Sequence, residues 1–443
     1  MKLKNKLFII FIMTLLIFFL RIINVLQYEN ELANPFVMAS MIAFFSFITI
    51  SIQENIDHNY QQQKVYYQNL NILKYILSIL VIILHLRPFL HYSNELDLAF
   101  NNIVSRICVP MFFIITGYFV AKKEKEKRHY IDTYIKRTIP LYLTWSLIYL
   151  PVILMTAIQY LPTINEYLVK INVPILLLIL LVIVLLPILL IITLCYSGVY
   201  YHLWYFPAVM LSLFVLKKWK EKYKLNYLFI ISFFLLLFGA TETYYGVLPL
   251  SIKELVTYYY NIFFTTRNFL FFGLFYVVLG YKMGSKEKTY TKNCFVKLII
   301  SCFFLAFEAI ILHDFHRLDS NILLSCIPVT YYLFISTIYI TNHINLKIKW
   351  NQYSKYYYLL HPMIIFIVSL IFKGVNQFPI LNISIVLMLT HILSLVMIKY
   401  NQKKYVSKKK SNLIDYFFNA RKILVYFEFI LFIFNEKEVL FKI

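Results

Sequence analysis

Lys74 and His85 lie eleven residues apart in the apolar stretch NILKYILSILVIILHLRPFL, residues 71–90. At about 100° per residue, that interval closes roughly 20° beyond three full turns. On a helix both side chains therefore share one face, about 16 Å apart along the axis. An ionisable side chain at bilayer depth is costly and marks a candidate functional site. An imidazole is suited to take the proton of an attacking hydroxyl near neutral pH. A lysine near the membrane surface either holds a phosphate or pyrophosphate or snorkels to the interface. His85 and Lys74 are thus the catalytic candidates, for chemistry performed inside a membrane domain.

Further candidates for substrate contact follow along the chain. Arg106, early in SRICVPMFFIITGYFV, faces an anionic substrate, pairs with Glu95 or Asp97, or anchors the segment at the interface. Lys136 and Arg137 precede Pro140 and close the longest basic loop. They either grip a nucleotide phosphate or simply obey the positive-inside bias. His202 and Trp204 in YYHLWYFPA fall at the outer boundary, where aromatic residues gather on general grounds. Arg267 opens RNFLFFGLFYVVLGY and is one of few outward cations. Glu308 is a carboxylate within an apolar run and needs a partner, with Arg267, Arg317 and His313 as candidates. His361 precedes Pro362 in YYYLLHPMIIF and either ends a helix turn or lines a cavity.

Membrane helices must position these residues. Hydrophobic residues make up 61% of the chain and charged residues only 14%. That excludes a soluble domain and predicts an all-α, polytopic membrane bundle. The net charge of +22 sits in short clusters between apolar runs, which points to loops facing anionic lipid and away from nucleic acid. Spans are expected at 7–26, 36–53, 70–90, 101–121, 139–158, 201–216, 227–241, 267–281, 296–312, 321–341, 355–372 and 379–398. With these twelve, every Lys/Arg cluster falls on the side of both termini, the cytoplasmic side. Residues 174–194 are apolar enough to cross, but counting them would reverse every later loop. Pro174 and Pro187 instead allow a re-entrant hairpin there. The organisation expected is a two-helix hairpin and linker (1–68), a ten-span core (69–400) and a basic cytoplasmic tail with an interfacial helix (401–443). The apolar opening is expected to be a retained anchor. The five cysteines show no CxxC spacing, so no metal is expected. No Walker A, GxSxG or HExxH pattern occurs.

Several blocks together carry a resemblance. These are Lys-x10-His at Lys74 and His85, R-x-x-VP-x-FF-x-x-TGYF from Arg106 to Phe119, and HLWY at His202–Tyr205. RNxLFF at Arg267–Phe272 and LHP at Leu360–Pro362 follow in order. From about Asn71 to Tyr400 the chain resembles the membrane acyltransferase 3 family of integral membrane O-acyltransferases. Within it, the stretch Glu308–Ser320 is similar to the membrane part of vancomycin-resistance serine racemases and their stand-alone relatives. No racemase or SGNH-type esterase segment is read in these 443 residues, so racemisation is not expected. The resemblance implies a multi-pass protein of the bacterial plasma membrane with no bound cofactor. Acyl-CoA, as acetyl-CoA, would be the co-substrate, its phosphates near Lys74 and the Lys136–Arg137 loop. His85 would act as general base, and a hydroxyl of an envelope glycan or small molecule would be the acceptor. A separate extracytoplasmic transferase is a further expected partner. Transport of a serine-like amino acid, with Arg106, Arg267 and Glu308 holding a zwitterion, remains the alternative.

Overall fold

The computed structural model describes residues 66–171, 191–286, 293–339, 350–372 and 374–407. The expected N-terminal hairpin, most of 174–194 and the tail beyond 407 lie outside the described residues. Those described are helical, with no strand among them. Six helices are long and apolar enough to cross a membrane: Gln68–Leu86, Asn94–Glu126, Tyr130–Thr156, Cys294–His313, Gln352–Ile371 and Pro379–Tyr400. Three shorter apolar helices, Leu225–Ala240, Phe269–Ser285 and Cys326–Ile338, accompany them.

The chain opens with α1 (Tyr66–Leu86), which carries both Lys74 and His85. α2 (Asn94–Glu126) follows, interrupted by a π-helical stretch at Leu98–Val104 and a 3-10 turn at Ser105–Ile107. α3 (Tyr130–Ile171) is one continuous helix. A π-helical stretch at Thr193–Ser197 and a turn then lead into α4 (Tyr205–Lys220). Residues 201–204, expected to open a span, belong to that turn. α5 (Leu225–Ala240), α6 (Leu250–Phe263) and α7 (Phe269–Ser285) come next. They are followed by α8 (Cys294–His313), α9 (Cys326–Tyr339), α10 (Trp350–Ile371) and α11 (Pro379–Ser407). α6 was not expected. At 14 residues it spans only about 21 Å, short of the roughly 30 Å hydrocarbon core. Leu250, Leu255 and Tyr258 are exposed along it, and Val256 is its buried residue.

Two buried clusters hold the bundle. One gathers Leu77, Met111, Phe113, Phe275, Tyr276 and Phe334 from α1, α2, α7 and α9. The other joins Ile82, Tyr149, Leu203, Leu359 and Val386 from α1, α3, the turn before α4, α10 and α11. The tightest approach is between α2 and α7. A Cβ at Gly280 would fall 2.1 Å from the Ile114 carbonyl oxygen, and one at Gly117 2.2 Å from that of Val277. Gly280 and Gly284 form a small-xxx-small stripe opposite Gly117 and Ala121, the pattern that lets membrane helices pack backbone to backbone. Outward-facing Ile230, Phe234, Phe303 and Phe307 are exposed, as lipid contact requires. At one end the helix termini are tied by ions. Lys217 pairs with Asp132 at 2.7 Å, and Lys220 bonds Tyr281 at 3.0 Å and Glu124. This basic end is where Lys74 lies, above Phe119 of α2.

Candidate active site

A cavity of about 360 Å³ runs between the two clusters. Lys74, Lys355, Tyr130 and Tyr134 line it toward the basic end, and His85, His202, Arg106, Arg267 and Asn321 toward the opposite end. Between them the wall is apolar, with Val81, Ile115, Phe119, Phe206 and Phe272 among its residues. The pairing expected along α1 is therefore present: Lys74 and His85 open into one cavity, a helix length apart.

His85 is exposed at the cavity it lines. Its ring lies between Tyr201, 4.8 Å away between centroids, and His361, stacked at 5.3 Å. His361 is presented by a local opening of α10. Pro362 has no N–H to give to the helix ladder. The next rung is also diverted: Met363 N donates to the Tyr149 hydroxyl at 3.3 Å, and that hydroxyl donates to the Leu359 carbonyl at 2.8 Å. A side chain inserted in the ladder loosens the turn. There the Nδ1 of His361 bonds the Tyr357 carbonyl at 2.8 Å. A carbonyl only accepts, so Nδ1 carries the proton and Nε2 keeps a lone pair. That Nε2 is buried without a protein partner.

The HLWY block converges on the same place. His202 stands 5.7 Å from His361 between ring centroids, and neither of its ring nitrogens has a protein partner. Its backbone carbonyl accepts from the Tyr358 hydroxyl. Tyr205 reaches α2 through Thr116 Oγ1 at 3.0 Å and the Phe112 carbonyl at 3.1 Å. The turn entering the block needs Gly198, whose φ of 75° is left-handed. A Cβ there would meet Trp204 N at 2.4 Å. In the RNxLFF block the two polar residues divide the work. Asn268 caps the π-helical first turn of α7, accepting from Leu270 N at 2.9 Å and Phe271 N at 3.1 Å. Arg267 lies over the Trp204 ring at 5.3 Å.

Arg106, Glu308 and the Lys136–Arg137 pair have surroundings other than the partners or cavity expected for them. Arg106 pairs with neither Glu95 nor Asp97. Asp97 is taken by Arg87, and Arg106 donates to Asn321 at 2.7 Å and Asn102 at 3.1 Å. Glu308 lies off the cavity and meets none of the expected cations. It accepts from the Tyr244 hydroxyl and from the amides of Leu324 and Ser325, both at 2.7 Å. Amides ahead of α9 and a phenol satisfy the half-buried carboxylate, so it ties α8 to α9. Lys136 and Arg137 are exposed on α3 and do not line the cavity. Arg137 shares the angular stripe of Tyr130 and Leu141, yet its side chain stays outside. Lys355 takes the expected place beside Lys74, where Ser354 also donates to the Lys74 carbonyl at 3.0 Å. The sequence carried the signal for Lys355: like Lys74, it is a lone cation opening an apolar run that contains a histidine. Asn321 directly follows the Glu308–Ser320 block, and only the fold brings it to Arg106.

Comparison with known proteins follows the same ground. The model of the acyltransferase domain family (acyltransferase 3) matches residues 67–399. An amino-acid racemase of Enterococcus faecalis is 28% identical over 350 residues, covering 75% of this chain and 46% of the racemase. A serine/alanine racemase of Enterococcus gallinarum is 25% identical over 327 residues, covering 71% of this chain and 43% of the racemase. The chain thus spans less than half the length of these curated relatives. No solved structure matches.

Proposed function

The chain belongs to the acyltransferase domain family, and from that premise we propose that it moves an acyl group, of acetyl size, across the bacterial plasma membrane. The donor is cytoplasmic acyl-CoA, and the acceptor is a hydroxyl of an envelope glycan or small molecule on the other side. One observation carries this function: a single cavity is lined by Lys74 and Lys355 at its basic end and by His85 and His202 at the other. The CoA phosphates rest at the Lys74–Lys355 mouth, where lysines act as point charges, and the thioester arm lies along the apolar wall. His85 takes the proton of the acceptor hydroxyl as its oxygen attacks the thioester carbonyl. The new C–O bond forms, the C–S bond breaks, and the imidazolium returns the proton to the departing thiolate. His361 holds the His85 ring in place by stacking and Tyr201 by a tilted ring contact.

Transfer of label from acetyl-CoA in membranes expressing the chain tests this function. Wild type deposits non-CoA label in the envelope fraction, and His85→Ala, expressed to the same level, loses about 10²–10⁴ of that rate. Equal labelling by both would remove His85 from the reaction. Transport of a small amino acid is the alternative, favoured by the two cavity-facing arginines and by the racemase names of the relatives. It predicts uptake into vesicles that His85→Ala leaves intact.

A further inference from the structure

Arg106 and Arg267 both line the end of the cavity that holds His85. Among the described residues, no ion pair includes either of them. Arg106 has only the neutral acceptors Asn321 and Asn102, which aim the guanidinium without offsetting its charge. Asp319 lies one step removed, accepting from the amide of Asn321. Arg267 rests on the Trp204 ring. The Nε of each arginine is buried without a partner. Two cations enclosed together without a bonded anion are costly to hold. Planar guanidiniums with spare N–H groups match a carboxylate fork. Each also adjoins a π-helical turn, Leu98–Val104 before Arg106 and Phe269–Gly273 after Arg267, and π turns frequently mark functional sites. A second cavity, about 350 Å³, shares Arg267, Tyr201 and Trp204 with the first and is otherwise lined by Ser197, Gly198 and Tyr200, among others. It offers a separate approach to Arg267 from the end away from Lys74.

We propose that Arg106 and Arg267 grip a carboxylate on the acceptor, so that the substrate class is a hydroxy acid whose hydroxyl is thereby brought to His85. The delivery of the hydroxyl to His85 rests on the acyl-transfer function; the carboxylate grip does not. A neutral sugar hydroxyl would leave both guanidiniums without a bonded anion, with Asp319 and Glu242 acting on them only through space, whereas a hydroxy acid supplies a bonded charge and the nucleophile together.

The test is equilibrium binding to the full chain purified in detergent, without any acyl donor. The probes are labelled hydroxy acids of increasing size beginning with 3-hydroxybutyrate, each competed by its alcohol counterpart, 1,3-butanediol for the first. Saturable binding is expected for at least one acid, displaced by the unlabelled acid and not by the diol. Arg267→Gln, at a half-buried position, is expected to weaken it about 10-fold or more. Arg267→Lys should recover part of that loss. Arg106→Gln is read only if it elutes as a single species, because that guanidinium is the more enclosed. Displacement by diol as readily as by acid overturns the proposal. So does undiminished binding by Arg267→Gln, stronger competition by inorganic phosphate than by any carboxylate, or no saturable acid binding at all. Carboxylate binding without acyl transfer by wild type would overturn acyl transfer and leave the grip standing.

Discussion

Lys74 and Lys355 are the residues on which the donor end of the cavity depends, and they differ in how visible they were. Lys74 stood out through its spacing to His85. Lys355 opens a run with no such partner at helical spacing, and only the packing of α10 on α1 sets it beside Lys74. Lys74→Gln and Lys355→Gln are each expected to raise the KM for acyl-CoA about 5-fold, the equivalent of roughly 1 kcal/mol for a charge at an open mouth. They should leave kcat nearly unchanged, as steady-state rates against acyl-CoA concentration will show; a fall in kcat alone would contradict that placement. At the other end, Glu242 between α5 and α6 is buried and receives the amide of Thr266, the neighbour of Arg267. Burial first, and then the charge of Asp319, push its carboxyl from 4.5 up to about 7. A raised carboxyl pKa means that the folded chain keeps a proton the unfolded chain releases. Its stabilising effect is present below about pH 4.5 and is lost as pH rises toward 7. The melting temperature of the purified chain should therefore fall from pH 5 to 8, and Glu242→Gln, which can still accept from Thr266, should flatten that slope. An identical slope in the variant would contradict it.

Elements differ in how legible they were because local pattern and tertiary contact fix different things. The length of α1, and the face that Lys74 and His85 share, follow from periodicity alone. The motif blocks Arg106–Phe119, His202–Tyr205 and Leu360–Pro362 were visible as strings, but their convergence depends on hydrogen bonds between distant helices, such as Tyr205 to Phe112 and Tyr149 to Leu359. Glu308 has partners other than the expected cations because backbone amides freed at the start of α9 serve a carboxylate equally well. α6 escaped notice because its mixed apolar and polar pattern is not that of a span. The α2–α7 contact could have been read from Gly280 and Gly284 with Gly117 and Ala121, four small residues at matching intervals. It makes a firm demand: Gly280→Val drives new atoms into the Ile114 backbone, not into a flexible side chain. Destabilisation of about 1–3 kcal/mol or more is expected, seen as a lowered melting temperature or loss of the monodisperse peak on size exclusion. An unchanged melting temperature would mean the helices are not packed this closely.

Taken whole, the molecule sets cations at one end of a membrane-crossing bundle and an imidazole cluster toward the other, with an apolar passage between. The architecture suits a reaction whose two substrates never share a compartment. The Lys/Arg bias over the full sequence predicts twelve spans with cytoplasmic termini; the described residues show six helices of spanning length, with Lys217, Lys220 and Lys74 gathered at one end. The decisive measurement is sidedness. Inside-out membrane vesicles expressing the chain present the cytoplasmic face outward and enclose the envelope-side acceptors. Labelled acetyl-CoA added outside should yield non-CoA label protected within the lumen by wild type and only background label with His85→Ala at equal expression. Label appearing only on the outer, cytoplasmic face, or luminal label undiminished in His85→Ala, would contradict transfer through this cavity.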